Sequence, residues 1–164
     1  MLTSSDPSAA DVGAVADRLA ALGLSIPTPV TPAAAYVPAV RTGNLVFTAG
    51  QLPFIDGVLP MTGKVGVNVT PEQAAELAQQ CALNALAAVS TVADVESIVR
   101  VVKVVGFVAS DPSFTNQPVV VNGASNVLKA AFGDAGAHAR SAIGMAVLPF
   151  DAPVEVELIV EVAD

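Results

Sequence analysis

The chain has 164 residues, 53% of them hydrophobic and only 13% charged, which suits one domain with a substantial core. A net charge of −8 leaves no cluster of Lys and Arg for a nucleic-acid backbone, and a single cysteine, Cys81, excludes an intrachain disulfide and points to a reducing compartment. No run reaches the roughly 18 apolar residues of a spanning helix, and Asp6, Asp11 and Asp17 stand where a signal peptide has its basic start and apolar block, so no membrane association and a cytoplasmic location are expected.

Residues 1–9 are small and polar. Residues 10–22 set Val12, Val15, Leu19 and Leu22 at helical spacing, with Gly23 as the stop. Pro27, Pro29 and Pro32 then impose an extended connector. Residues 1–32 thus read as an N-terminal extension, a short helix plus a Pro-rich connector, ahead of a main domain over 33–164. Residues 36–41 and 44–48 read as two strands around Thr42-Gly43. The stretch 50–66 is rich in Gly and Pro and is a candidate lid or site rim.

Thr70 opens the clearest helix: it is a good N-cap, Pro71 suits the first helical position and Gln73 completes a capping box. Leu77, Cys81, Ala85 and Ala88 continue it as a stripe of small apolar residues suited to lying on a sheet. Residues 97–109 are β-branched enough for a buried strand, on which Arg100 and Lys103, an odd number apart, are expected to face opposite ways. A turn over 110–118 leads to a second main helix within 119–132, ended near Gly133.

Residues 138–162 hold two more strands, separated by Pro149 and Pro153. The second alternates, with Val154, Val156, Leu158, Val160 and Val162 on one face and Glu155, Glu157 and Glu161 on the other. If these two strands pair as antiparallel neighbours, Arg140 comes close to the carboxylates of the second only where the register or a subunit contact brings them together. The order β-β-α-β-α-β-β gives an α+β class: a mixed sheet with two main helices packed on one face.

One His and one Cys leave no zinc or calcium site, and no phosphate loop or dinucleotide fingerprint occurs. Cys81 on an apolar stripe reads as a buried structural thiol. His138, in a small-residue loop, reads as solvent-facing or capping. Arg140 opens an otherwise apolar strand, so its guanidinium is either in a salt bridge with a glutamate of the last strand or exposed in a cleft. Glu155 is either part of a solvated sheet face or, with an arginine, half of a carboxylate clamp beside a water-positioning base.

Arg140-Ser141 with the run to Leu148-Pro149, followed by Val154-Glu155-Val156-Glu157, resembles the signature of the RidA/YjgF family of enamine/imine deaminases, some of whose members are labelled endoribonucleases of the L-PSP family. Residues 43–53, Gly-Asn-Leu-Val-Phe-Thr-Ala-Gly-Gln-Leu-Pro, are similar to that family's first hairpin, and Thr62-Gly63 and the helix after Thr70 follow in order. The resemblance covers residues 36–164 and implies a chorismate-mutase-like fold assembled as a homotrimer with clefts between subunits. It implies hydrolysis of 2-enamine and 2-imino acids such as 2-aminoacrylate to the 2-oxo acid and ammonia, with no cofactor. The small-molecule partner is then an imino or oxo acid bearing a carboxylate, which Arg140 binds while Glu155 positions or activates water.

Tyr36 falls on a pocket tyrosine and Asn122 on a pocket asparagine, next to an insertion around 116–121. Ala49 stands where many members have a pocket serine, and Ala34-Ala35 where they often have Gly-Pro. These departures, with the N-terminal extension, imply a divergent branch. They keep open a rival reading, a non-catalytic trimer that binds small carboxylates or a protein partner. The endoribonuclease reading fits the acidic balance least.

Overall fold

The computed structural model describes residues 14–30 and 35–164. After a short helix α1 (Ala14–Ala20) come the hairpin strands β1 (Ala39–Thr42) and β2 (Leu45–Thr48), with Gly43 at φ +57° in the turn. Helix α2 (Pro71–Val89), strand β3 (Ile98–Ala109), helix α3 (Gln117–Phe132) and strands β4 (Ala139–Met145) and β5 (Val154–Val162) follow. The strands form one mixed sheet in the order β1-β2-β5-β3-β4. Helices α2 and α3 cover one of its faces, the expected α+β arrangement.

Helix α2 starts where its capping chemistry requires. The Thr70 hydroxyl accepts from the Gln73 N–H at 3.2 Å, and the Gln73 side chain accepts from the Thr70 N–H at 2.9 Å. Two of the donors that a helix start leaves unpaired are thereby satisfied. Its alanines 74, 78, 82, 85 and 88 are buried, which brings the helix close to its neighbours. At the crossing with α3 the approach is backbone to backbone: a Cβ on Gly123 would collide with the Ala75 carbonyl oxygen. Helix α3 begins at Gln117, earlier than its apolar pattern starts, because Pro118 fits the first turn.

The core lies between these helices and the sheet. On β5, Val154, Val156, Leu158, Val160 and Val162 are all buried while the intervening Glu155, Glu157, Ile159 and Glu161 are half-buried, as the alternation predicts. Each large apolar chain taken inside in this way contributes about 1.5–3 kcal/mol of transfer free energy. Cys81 is fully buried in the same core. Burial first, and the nearby Glu155 carboxylate second, push its thiol well above the usual range.

The strand pairing settles one open question and corrects one expectation. Strands β4 and β5 are not neighbours: β3 lies between them, antiparallel to β5 and parallel to β4. The α3 crossover, rather than the short Pro-marked loop, determines where β4 enters the sheet. Arg100 and Lys103 also share a face, since Arg100 pairs with Glu161 and Lys103 with Ile159, two residues apart on β5. A bulge between Val101 and Lys103 inserts the extra residue that cancels the odd spacing.

The N-terminal helix is docked on this core. Leu19 and Val15 are buried in it, and Arg18 Nη1 donates to the Ala131 carbonyl at 2.9 Å. The Glu96 carboxylate accepts from the N–H groups of Val15 and Ala16, both at 3.3 Å. Gly23, at φ +71°, ends the segment as expected. Residues 10–13 of the anticipated helix and the boundary anticipated at 32/33 lie outside the described residues.

Candidate functional site

The residues singled out from sequence occupy two places. Arg140 is registered with Val104 of β3, whose side chain faces the helices, so Arg140 points under α3. There Asn122, Ser125 and Lys129 recur at the three- and four-residue spacing that lines one helix face. Arg140 Nη1 donates to Asn122 Oδ1 at 2.8 Å and to Ser125 Oγ at 3.1 Å. These neutral partners replace the salt bridge with a final-strand glutamate weighed above. Both bonds use one nitrogen, and Nε and Nη2 make no hydrogen bond among the described residues.

His138 is half-buried and caps the end of the short 3-10 helix Gly133–Gly136, one of the two roles expected for it. Its Nδ1 lies 2.6 Å from the Gly136 carbonyl, which only accepts, so in the neutral ring Nδ1 carries the proton and Nε2 offers its lone pair. The Ser125 hydroxyl, 2.9 Å away, donates to that lone pair. Ser125, Lys129, His138 and Arg140 line a cavity of about 300 Å³. Ser125 was missed from sequence. Its one available signal was its place three residues after Asn122, on the same helical face.

Glu155 lies on the other side of the sheet. It is registered with Phe107, whose side chain points away from the helices. Arg140 and Glu155 are thus two strands apart and offset by the three residues between Val104 and Phe107. Strand spacing and rise put their Cα atoms about 14 Å apart, with side chains on opposite faces. The clamp between adjoining strands does not form within one chain.

The Glu155 carboxylate occupies space that only a glycine at position 50 leaves free, since a Cβ there would collide with Oε1 and stand 2.8 Å from the carboxyl carbon. Partial burial, and then the charge of Glu157, raise its pKa above the ordinary glutamate range.

Gly50 and Tyr36 line a larger cavity of about 860 Å³ between the Pro-rich connector, the 50–57 loop and α2. Of the stretch 50–66 read as a candidate lid or rim, residues between 50 and 57 border this cavity. Asn84 of α2 holds the loop, donating to the carbonyls of Leu52 at 2.8 Å and Phe54 at 3.0 Å. Phe150 packs edge-on to Phe54 at 5.8 Å. Tyr36 is 58% exposed. Ala49 donates its N–H to the Pro38 carbonyl at 2.8 Å and brings no hydroxyl to this side. Tyr36 and Gly50 thus border one cavity, with Glu155 against Gly50, while Asn122 contacts Arg140.

Among the described residues no helix covers the face bearing Glu155, and it is largely apolar: the register places Val40, Phe47, Phe107, Ile143 and Ile159 on it, beside Arg100, Lys103, Glu157 and Glu161. Among the described residues, no group of three or more His, Cys, Asp or Glu is placed to hold a metal, and no helix is long and apolar enough to cross a membrane.

Comparison with known proteins gives a consistent result. The family model described as Endoribonuclease L-PSP matches residues 27–162. Protein TCP17 of Trypanosoma cruzi is 41% identical over 151 residues, 91% of this chain and 94% of that protein. The crystal structure of Atu1372 from Agrobacterium tumefaciens superposes with a TM-score of 0.86 at 44% identity, covering 93% of this chain and 94% of that one. That of a candidate endoribonuclease from Shewanella oneidensis also gives 0.86, at 27% identity over 91% of this chain and 99% of that one.

Proposed function

The chain belongs to the endoribonuclease L-PSP family, and from that premise we propose that it hydrolyses reactive 2-enamine and 2-imino acids to 2-oxo acids and ammonia without a cofactor. The observation that carries the reading is Arg140: one nitrogen is fixed by Asn122 and Ser125, while Nε and Nη2 remain for a ligand. Two parallel N–H groups on a held guanidinium are the geometry that grips a carboxylate in two places.

Glu155 supplies the base. A carboxylate with a raised pKa takes a proton from water more readily than an ordinary one. The water oxygen bonds to the imine carbon, its proton passes to Glu155, and the imine nitrogen takes up a proton. The carbinolamine then collapses to the C=O as ammonia leaves. An imine carbon is already electrophilic, so holding the acid and orienting water suffices.

Arg140 and Glu155 face opposite ways in one chain, so the reading requires a homotrimer in which Arg140 of one subunit meets Glu155 of the next. The uncovered apolar sheet face is suited to such a contact. The test is ammonia release from 2-aminoacrylate generated in solution by a lyase. Rapid release that Arg140→Ala abolishes is the expected result, and an Arg140→Ala protein as fast as wild type overturns the reading. Ala49, which stands where many members of the family have a serine and so removes one hydroxyl donor, favours a second reading, a non-catalytic trimer that binds small carboxylates or a protein partner. No acceleration over buffer, with saturable 2-oxo acid binding, would select the ligand-binding form.

A further inference from the structure

His138 takes no part in the chemistry just described and Ser125 serves there only to hold Arg140, yet their arrangement has the components of an activated nucleophile. Such a centre needs a hydroxyl, a base within hydrogen-bond reach, and a third group that orients the base. Here the Gly136 carbonyl fixes the imidazole through Nδ1 at 2.6 Å, and Nε2 accepts the Ser125 hydroxyl proton at 2.9 Å. Arg140 Nη1 lies 3.1 Å from the same oxygen and favours negative charge there. The hydroxyl opens on a cavity of about 300 Å³ with Lys129 and Arg140 on its wall and no carboxylate among its lining residues. In a chain of net charge −8 that wall brings two cations together, an arrangement that attracts anions.

We infer that Ser125 and His138 form a serine nucleophile centre that cleaves esters whose acyl part carries a carboxylate. As Ser125 Oγ bonds to the ester carbonyl carbon, its proton passes to His138 Nε2. The carbonyl oxygen becomes the oxyanion and takes hydrogen bonds from Arg140. The C–O bond to the alcohol breaks as that alcohol takes the proton back from Nε2, leaving an acyl-serine. Water then attacks the acyl carbon, its proton going to Nε2 and on to Ser125 Oγ as the acyl bond breaks. The net reaction is ester plus water to acid plus alcohol, with no redox partner. Lys129, one turn after Ser125, takes the acyl carboxylate.

The test uses the full chain and 4-nitrophenyl adipate half-ester, with 4-nitrophenyl acetate as the uncharged comparison. Expected are a burst of nitrophenolate near one equivalent and a protein mass increased by one adipoyl group, mapped by peptide sequencing to Ser125. His138→Gln should slow the burst by about 10²-fold or more, the contribution of a positioned base. Lys129→Gln should remove the preference for the adipate ester, and the exposed Ser113→Ala should behave as wild type. No burst from the wild-type protein, or an adduct mapped elsewhere, overturns the inference. That readout needs no variant to fold. It also contains no imine, so it stands or falls independently of the deaminase reading.

Discussion

Gly50→Ala separates the position of the Glu155 carboxylate from the stability of the fold. The added methyl would collide with Glu155 Oε1 and stand 2.8 Å from Cδ and 3.2 Å from Cγ, so the carboxyl group has to retreat by about 1 Å. Every atom it meets belongs to one half-exposed side chain, which can swing aside. Gly50 does not have a positive φ, so alanine suits its backbone. The reduced freedom of the unfolded chain stabilises by about 0.4–1 kcal/mol, which offsets the rotamer cost. Stability should therefore stay within about 1 kcal/mol of wild type, a Tm change of no more than about 2–4 °C. Catalysis is more sensitive, because a misplacement of about 1 Å in a reacting group costs about 10²-fold. Thermal unfolding by circular dichroism and ammonia release from 2-aminoacrylate, measured on the same preparation, check both halves. A Gly50→Ala protein with wild-type deaminase activity would refute the role given to Glu155, whatever its Tm.

Glu155→Gln tests the raised carboxyl pKa directly. A group whose folded pKa is raised contributes stability below its unfolded pKa and loses it as the pH rises through the folded value. The neutral glutamine should thus match wild type at low pH and become the more stable form above the raised value; denaturant midpoints falling below wild type at neutral pH would contradict this. Gly123→Ala should cost about 1–3 kcal/mol from overpacking, more than the roughly 1 kcal/mol gain in helix propensity, because the Ala75 backbone it meets cannot rotate away. An unchanged Tm would show that α2 and α3 are not in such close contact. Cys81, buried and with its thiol pushed up, should react with a thiol reagent only as fast as the protein unfolds. Rapid stoichiometric labelling of the native protein would place that thiol elsewhere.

The elements governed by local chemistry were legible in the sequence. Thr70, Pro71 and Gln73 located the start of α2 to the residue, because a capping box is satisfied by neighbours three residues apart. The alternation on β5 identified its buried face for the same reason. Sequence reasoning failed where one residue of register decides the outcome. The bulge near Val101 and Lys103 shifts side-chain direction without any marker such as Gly or Pro at the step. The placement of β4 beyond β3 depends on where the α3 crossover lays the chain, a long-range matter that the short loop before β5 does not encode.

The same distinction accounts for which site residues were found. Arg140 was conspicuous because a guanidinium on an apolar strand needs a reason, whereas Ser125 is one polar residue on a helix whose outer side is polar anyway. Its significance comes from three elements: α3 supplies the hydroxyl, the loop at Gly136 orients His138, and β4 brings Arg140. Gly136, His138 and Arg140 are neighbours in sequence, but spacing does not tie Ser125 to them, since Ser125 and His138 are thirteen apart with a helix end between them. The parallel pairing of β3 and β4 tucks the start of β4 under the C-terminal half of α3. An antiparallel partner next to β5 would have carried Arg140 away from that helix. The strand order that separates Arg140 from Glu155 is therefore the same feature that joins Arg140 to Ser125. A chain built this way has two polar centres back to back across one sheet.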